Sequence, residues 1–130
     1  MKYLRNYTVK VVKDGDEIEI PLRLSIRSQL ALKKKYGKDL GSLMSEAITD
    51  PEKGLAILEE ALKAIPSPVS SADELYDLLV DGGMAGYEEF AELYFRVAHE
   101  SGIISAKQLE TMLKRLSGAV DEAIEEDSKN

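Results

Sequence analysis

Cysteine is absent from this chain. That excludes a disulfide framework, a thiolate nucleophile and any Cys-type zinc or iron–sulfur site, and it matches the usage of a reducing cytoplasm. Tryptophan is absent too, and with Phe 2 and Tyr 6 the aromatic supply is small, so the core must be built mainly of Leu, Ile, Val and Ala. Long apolar runs are missing. Met1 to Tyr7 lacks the apolar stretch of a signal peptide, and no later run approaches the roughly 18 residues a membrane span needs. A soluble, cytoplasmic protein with no membrane partner is expected. Positive charge is also scarce: 17 Lys and Arg stand against 24 Asp and Glu, a net charge of -7. The long-range field therefore repels phosphate, which weighs against a general nucleic-acid or anionic-membrane binder but leaves room for a local basic patch.

What is present is globular. Hydrophobic residues make up 44% and charged residues 32% of the 130. A chain of this size buries about two thirds of the surface its unfolded form exposes, enough for one core. The expectation is a single α+β domain over 1–130, predominantly helical. An antiparallel β-hairpin at about 4–24 precedes about six α-helices over 25–126, and an acidic C-terminus frays.

The organising stretch runs from Ile20 to Gly37, where the hydrophobic period changes from two to about 3.6 with no loop between. Upstream, Tyr7, Val9 and Val11 alternate with Thr8 and Lys10. After Asp14-Gly15-Asp16, Ile18, Ile20, Leu22 and Leu24 alternate with Glu17, Glu19 and Arg23. Asp-Gly tolerates positive φ between paired strands, so this reads as a hairpin with one wet face. Pro21, which has no N–H to give a ladder, suits an edge strand. Ser25 can cap the helix that follows, in which Ile26, Gln29, Leu30, Lys33 and Tyr36 fall near one face and Arg27, Lys34 and Lys38 near another; Gly37 ends it.

A second helix is predicted over Leu40 to Ile48, with Leu40, Leu43, Met44, Ala47 and Ile48 on one stripe. Asp50-Pro51-Glu52 opens a third, with its stripe at Leu55, Leu58, Leu62 and Ile65. Pro66 to Ser71 is a loop. Ser71 and Glu74 have capping-box spacing and begin a helix that stops at Gly82-Gly83. Tyr87, Phe90, Ala91, Tyr94, Val97 and Ala98 then mark a helix to Glu100, and this aromatic stripe is the expected core centre. Ser105 and Gln108 repeat the box. From there an apolar seam (Leu109, Met112, Leu113, Leu116, Ala119, Val120, Ala123, Ile124) leads to the acidic end Glu125 to Asn130. The seam reads either as a core helix or as a segment that docks on another subunit or partner helix.

No constellation carries catalysis. His99 is the only histidine and stands near the end of a helix, where a lone histidine is more often a surface or cap-proximal residue than a catalyst or ligand. Glu59-Glu60, Glu88-Glu89 and Glu125-Glu126 are neighbours that diverge by about 100° on a helix, unsuited to sharing a proton. Asp14-Gly15-Asp16 lacks the spaced oxygens and terminal Glu of a calcium loop. Gly82, Gly83 and Gly86 follow no strand and read as helix termini rather than a phosphate cradle. Neither an enzyme nor a cofactor is indicated. Arg27, Lys33, Lys34, Lys35 and Lys38 form the one basic concentration, readable as a solvated face or as a site for nucleic acid or an acidic partner.

Tyr3 to Tyr7, Pro21 to Gln29 with Lys35-Tyr36-Gly37, Asp50-Pro51-Glu52-Lys53, Glu74 to Asp81, and Gly86-Tyr87 to Phe90-Ala91 together resemble the tail assembly chaperones of long-tailed bacteriophages and prophages. The likeness spans roughly residues 3 to 105. It implies a small cytoplasmic, non-enzymatic factor of the bacterial host cell that binds the tape measure protein, keeps it soluble, helps recruit tail tube protein and self-associates. An amphipathic surface holding an apolar helix suits that role. The alternative from another class is a small nucleic-acid-binding regulator that uses the helix from Arg27 to Lys38. No client-binding residue is assigned from sequence.

Overall fold

Between Lys13 and Asp16 the chain turns back on two residues of positive φ, Asp14 (53°) and Gly15 (84°), the backbone of a two-residue hairpin loop. The structure is a computed structural model. It describes residues 5–84 and 86–128, with side chains described at all of these except 86, 87 and 119–128. Among the described residues two strands precede six helices, the α+β, predominantly helical order read from the sequence.

Strands β1 (Tyr7–Lys13) and β2 (Asp16–Leu22) pair antiparallel with Tyr7 opposite Leu22, Val9 opposite Ile20 and Val11 opposite Ile18. Alternation sends those six residues inward, while Thr8, Lys10, Glu17 and Glu19 face water. Both strands of so small a sheet are edges, so Pro21 interrupts no central ladder.

Only Arg23, Leu24 and Ser25 separate hairpin from helix. Arg23 N–H donates to the Ala61 carbonyl at 3.2 Å and Leu24 N–H to the Ser101 hydroxyl at 2.9 Å, pinning the crossover to two distant helices. Ser25 then caps α1 (Ile26–Tyr36) by accepting from Ser28 N–H at 3.1 Å, and Gly37, at φ 70°, closes it with a bond to the Lys33 carbonyl. Asp39 caps α2 (Leu40–Ala47), and Asp50, followed by Pro51 in the first turn, caps α3 (Pro51–Lys63). After the 66–71 loop come α4 (Ala72–Asp81), α5 (Gly86–Glu100) and α6 (Ala106–Ser128). Ser105 and Gln108 make a reciprocal capping box, at 2.8 and 3.1 Å. At Ser71 the box is one-sided. The Ser71 hydroxyl accepts from Glu74 N–H, but the Glu74 carboxylate turns to Lys13, and Glu59 accepts the Ala72 N–H at 2.7 Å.

Helix α3 is central: it packs on α1, α2, α4, α5 and β2, and α6 lies against α5. Neighbours on several sides broaden its buried face to Gly54, Ile57, Leu58, Ala61 and Leu62, while the expected Leu55 and Ile65 are only half-buried. Phe90, Tyr94 and Phe95 on α5 are fully buried and meet Tyr76 and one another edge-on at centroid distances of 5.0 to 6.2 Å. The expected core centre at Phe90 and Tyr94 is correct. The Tyr87 side chain lies outside the described residues.

The largest departure from sequence periodicity is in α1. Its buried residues are Ser28 and Leu32, whereas Ile26 and Leu30 remain 67% and 58% exposed. Ser28 wins the inward position because a small hydroxyl lets α1 approach α3 closely. Its Oγ donates to the Glu60 carbonyl at 3.2 Å and lies 3.0 Å from Ser25 Oγ, so burial leaves it satisfied.

Candidate interaction surface

Turning Ser28 and Leu32 inward rotates an apolar pair outward. Ile26 and Leu30 are one turn apart, i and i+4, and so share a face of α1; Lys33 and Lys34 lie a turn beyond Leu30. Across its eleven residues α1 holds Arg27, Lys33, Lys34 and Lys35 and no acid. Beside it runs a groove of about 650 Å³ between Arg23, Arg27 and Ala31 on one side and Glu60, Lys63 and Ala64 of the α3 end on the other. Glu60 is committed: its carboxylate is 2.9 Å from Lys63 Nζ and holds that ammonium's pKa above the usual lysine value. The rim therefore reads as positive around an apolar centre.

The five cations singled out from sequence do not act as one cluster. Lys38 is engaged with Glu46, which also receives Lys53 at 3.3 Å. The hydrogen bond from Lys38, then that from Lys53, keeps the Glu46 carboxyl below the ordinary carboxylate range, and Glu46 in turn raises Lys53. Lys35 sits 5.3 Å from the centroid of the Tyr36 ring. Arg27 and Lys34 have no ion-pair partner among the described residues and flank the apolar pair. No protein-family model, curated protein or solved structure matches the chain.

The other candidates take structural places. His99 Nδ1 is 3.5 Å from the Glu100 carboxylate, and its carbonyl accepts from Arg5. Glu59 and Glu60 diverge to Ala72 N–H and Lys63. Asp14 and Asp16 belong to the hairpin turn, and Gly82 and Gly83 end α4, Gly83 at φ 103°. Gly86 opens α5. Among the described residues no group of three or more His, Asp and Glu is placed to hold a metal ion, and no helix is long and apolar enough to cross a membrane. Of the C-terminal seam, Leu109 and Leu116 are buried and Met112 and Leu113 half-buried, so its first three turns are core; the side chains of Ala119, Val120, Ala123 and Ile124 lie outside the described residues.

Sequence reading placed the basic residues and set Ile26 and Leu30 on one face of the helix with Gln29, Lys33 and Tyr36, but did not assign that face to core or to solvent. The available signal was Ser25-x-x-Ser28: a serine at the third helical position can satisfy its hydroxyl locally, and so can be the residue that turns inward.

Proposed function

We propose that the protein is a non-catalytic assembly factor of the tail assembly chaperone type, acting in the cytoplasm of the bacterial host. It binds the tape measure protein, holds that long helical client in solution, and helps bring tail tube protein to it. The supporting observation is the exposed Ile26–Leu30 pair, with Ile26 at the edge of a cation-rimmed groove and Leu30 beside it. Such a surface suits an amphipathic helix laid along it, with apolar anchors on Ile26 and Leu30 and acidic flanks toward Arg27 and Lys34. A single patch of this size binds weakly, and many copies along one client supply avidity.

The test is co-expression with a tape measure protein, followed by size-exclusion chromatography with light scattering at low and high salt. The expected result is a client soluble only in the presence of this protein, in a complex that persists at high salt and is lost with Leu30→Glu. A client that stays insoluble, or a complex indifferent to Leu30→Glu, would reject the assignment.

The four cations and missing acids of α1 favour a second reading, a nucleic-acid-binding regulator. Salt separates the two. A complex that neutralises about four phosphates weakens about 100-fold between 50 and 200 mM salt, whereas apolar client binding changes little.

A further inference from the structure

The two edges of the hairpin are not alike. A bonded antiparallel pair exchanges two N–H···O bonds, which Pro21 cannot do, so its pair with Thr8 is a non-bonded one, as are the pairs two and four residues further along. The backbone groups of Thr8, Lys10 and Val12 therefore point away from β2, and those of Glu17, Glu19 and Pro21 point away from β1. Proline and two carboxylates blunt the β2 edge. The β1 edge keeps three N–H groups and three carbonyls, and among the described residues none of the six is hydrogen-bonded to another part of the chain.

A groove of about 370 Å³ runs along that open edge. Tyr7 and Val11, which face the core, and Lys10, which faces away from it, all line the groove, and no residue of β2 does. The groove therefore follows the free side of β1 rather than a face of the sheet. Its other wall is largely apolar, with Leu78 and Leu79 of α4, Met84, and Leu93 of α5. On the outer row, Val12 is 57% exposed, and Lys10 has no ion-pair partner among the described residues although Glu19 stands opposite it in the ladder.

We propose that β1 accepts a third strand, an extended segment of a partner protein that has apolar residues at alternate positions and acids between them. Its backbone bonds Thr8, Lys10 and Val12, its apolar side chains enter the groove, and an acid stands beside Lys10. Charge complementarity selects this occupant over a second copy. Two β1 edges paired antiparallel about Lys10 bring ammonium opposite ammonium, which is destabilising, whereas an acid in that place is favourable. A third strand also gives the sheet the width at which strand pairing becomes robust. The groove shares no residue with the one beside α1 and takes an extended chain rather than a helix, so the inference does not rest on the tail-chaperone reading.

The test uses the full chain and a short acetylated, amidated peptide of alternating glutamate and valine. Hydrogen exchange followed by NMR should show the amides of Thr8, Lys10 and Val12 exchanging freely in the protein alone and slowed about tenfold or more by saturating peptide, with Val9 and Val11 protected in both states. Two N-methylated peptides separate backbone pairing from side-chain contact. Methylating the glutamate nitrogens blocks one edge of the peptide and methylating the valine nitrogens blocks the other, so one should bind and the other should not. Lys10→Glu, on an exposed side chain, should weaken binding about fivefold while circular dichroism shows the fold unchanged. Absence of binding, binding that leaves the three amides unslowed, equal behaviour of the two methylated peptides, or amides already protected in a self-associated free protein would overturn the proposal.

Discussion

Lys13 Nζ at the end of β1 lies 3.0 Å from Glu74 Oε1 in the first turn of α4, an ion pair between residues 61 apart in sequence. The same ammonium donates to the Pro68 carbonyl at 3.3 Å, so one side chain ties the hairpin to both the proline-bearing loop and the helix it leads into. Both partners are about a third exposed, which limits the worth of the pair. A double-mutant cycle with Lys13→Met and Glu74→Gln should give a coupling of about 0.5 kcal/mol, reduced by added salt. A coupling near zero at low salt would mean that Lys13 acts through Pro68 alone.

Leu30 and Leu32 are two residues apart and should behave as opposites. Leu32 is 2% exposed, and Leu32→Ala should cost about 2–5 kcal/mol in urea unfolding. Leu30→Ala should fall within about 0.5 kcal/mol of the parent, since Leu30 is mostly in water already. Equal losses at the two positions would contradict the orientation of α1.

Glu46 joins Lys38, just after α1, to Lys53 on α3. Its carboxyl is held below the ordinary value of 4.5, so the folded state binds a proton there less readily than the unfolded chain. The stabilisation is therefore present above that pH and is lost as acid protonates the folded carboxyl. On the alkaline side Lys53, raised above 10.5, loses its share as pH rises through its folded value. Thermal melts of the parent and Glu46→Gln from pH 7 to 3 should show a gap in Tm that is widest near neutrality and closes on acidification. A gap that does not change with pH would assign the effect to packing.

Phe90 is fully buried and meets Tyr76 and Tyr94 edge-on. Phe90→Ala should destabilise by about 3–5 kcal/mol, and Phe90→Leu by clearly less, because most of the volume is kept. Chemical denaturation of both variants measures the difference directly.

Capping residues were the most legible part of the fold. Ser25, Asp50, Ser71 and Ser105 each accept the N–H their spacing predicts, because a cap is a local contract between residues two or three apart. The hairpin was equally plain, since a period of two and an Asp-Gly turn leave few alternatives. Faces were harder. The sequence of α1 put Ile26 and Leu30 on one face, but which face turns inward is settled by how closely α1 and α3 can approach, a fact about two helices that neither segment states alone. In α3 the stripe came out too narrow for the same reason: Ile57 and Ala61 are buried by neighbours that arrive from other parts of the chain. Glu74 is a third case, with its carboxylate drawn from its own cap by a lysine on the hairpin. The interaction surface was half legible, its charges visible and the exposure of its apolar centre unassigned.

The crossover from β2 to α1 is fastened at one end by Ala61 and at the other by Ser101, and the inner face of the hairpin rests on helices made later in the chain. A growing polypeptide therefore presents Ile20, Leu22 and Leu24 to the cell well before their partners exist. At about 5–20 residues per second, α5 is finished some 4 to 16 s after β2 leaves the synthetic machinery. During that interval the hairpin is the least complete element, and its packing against the helices waits until α5 is made.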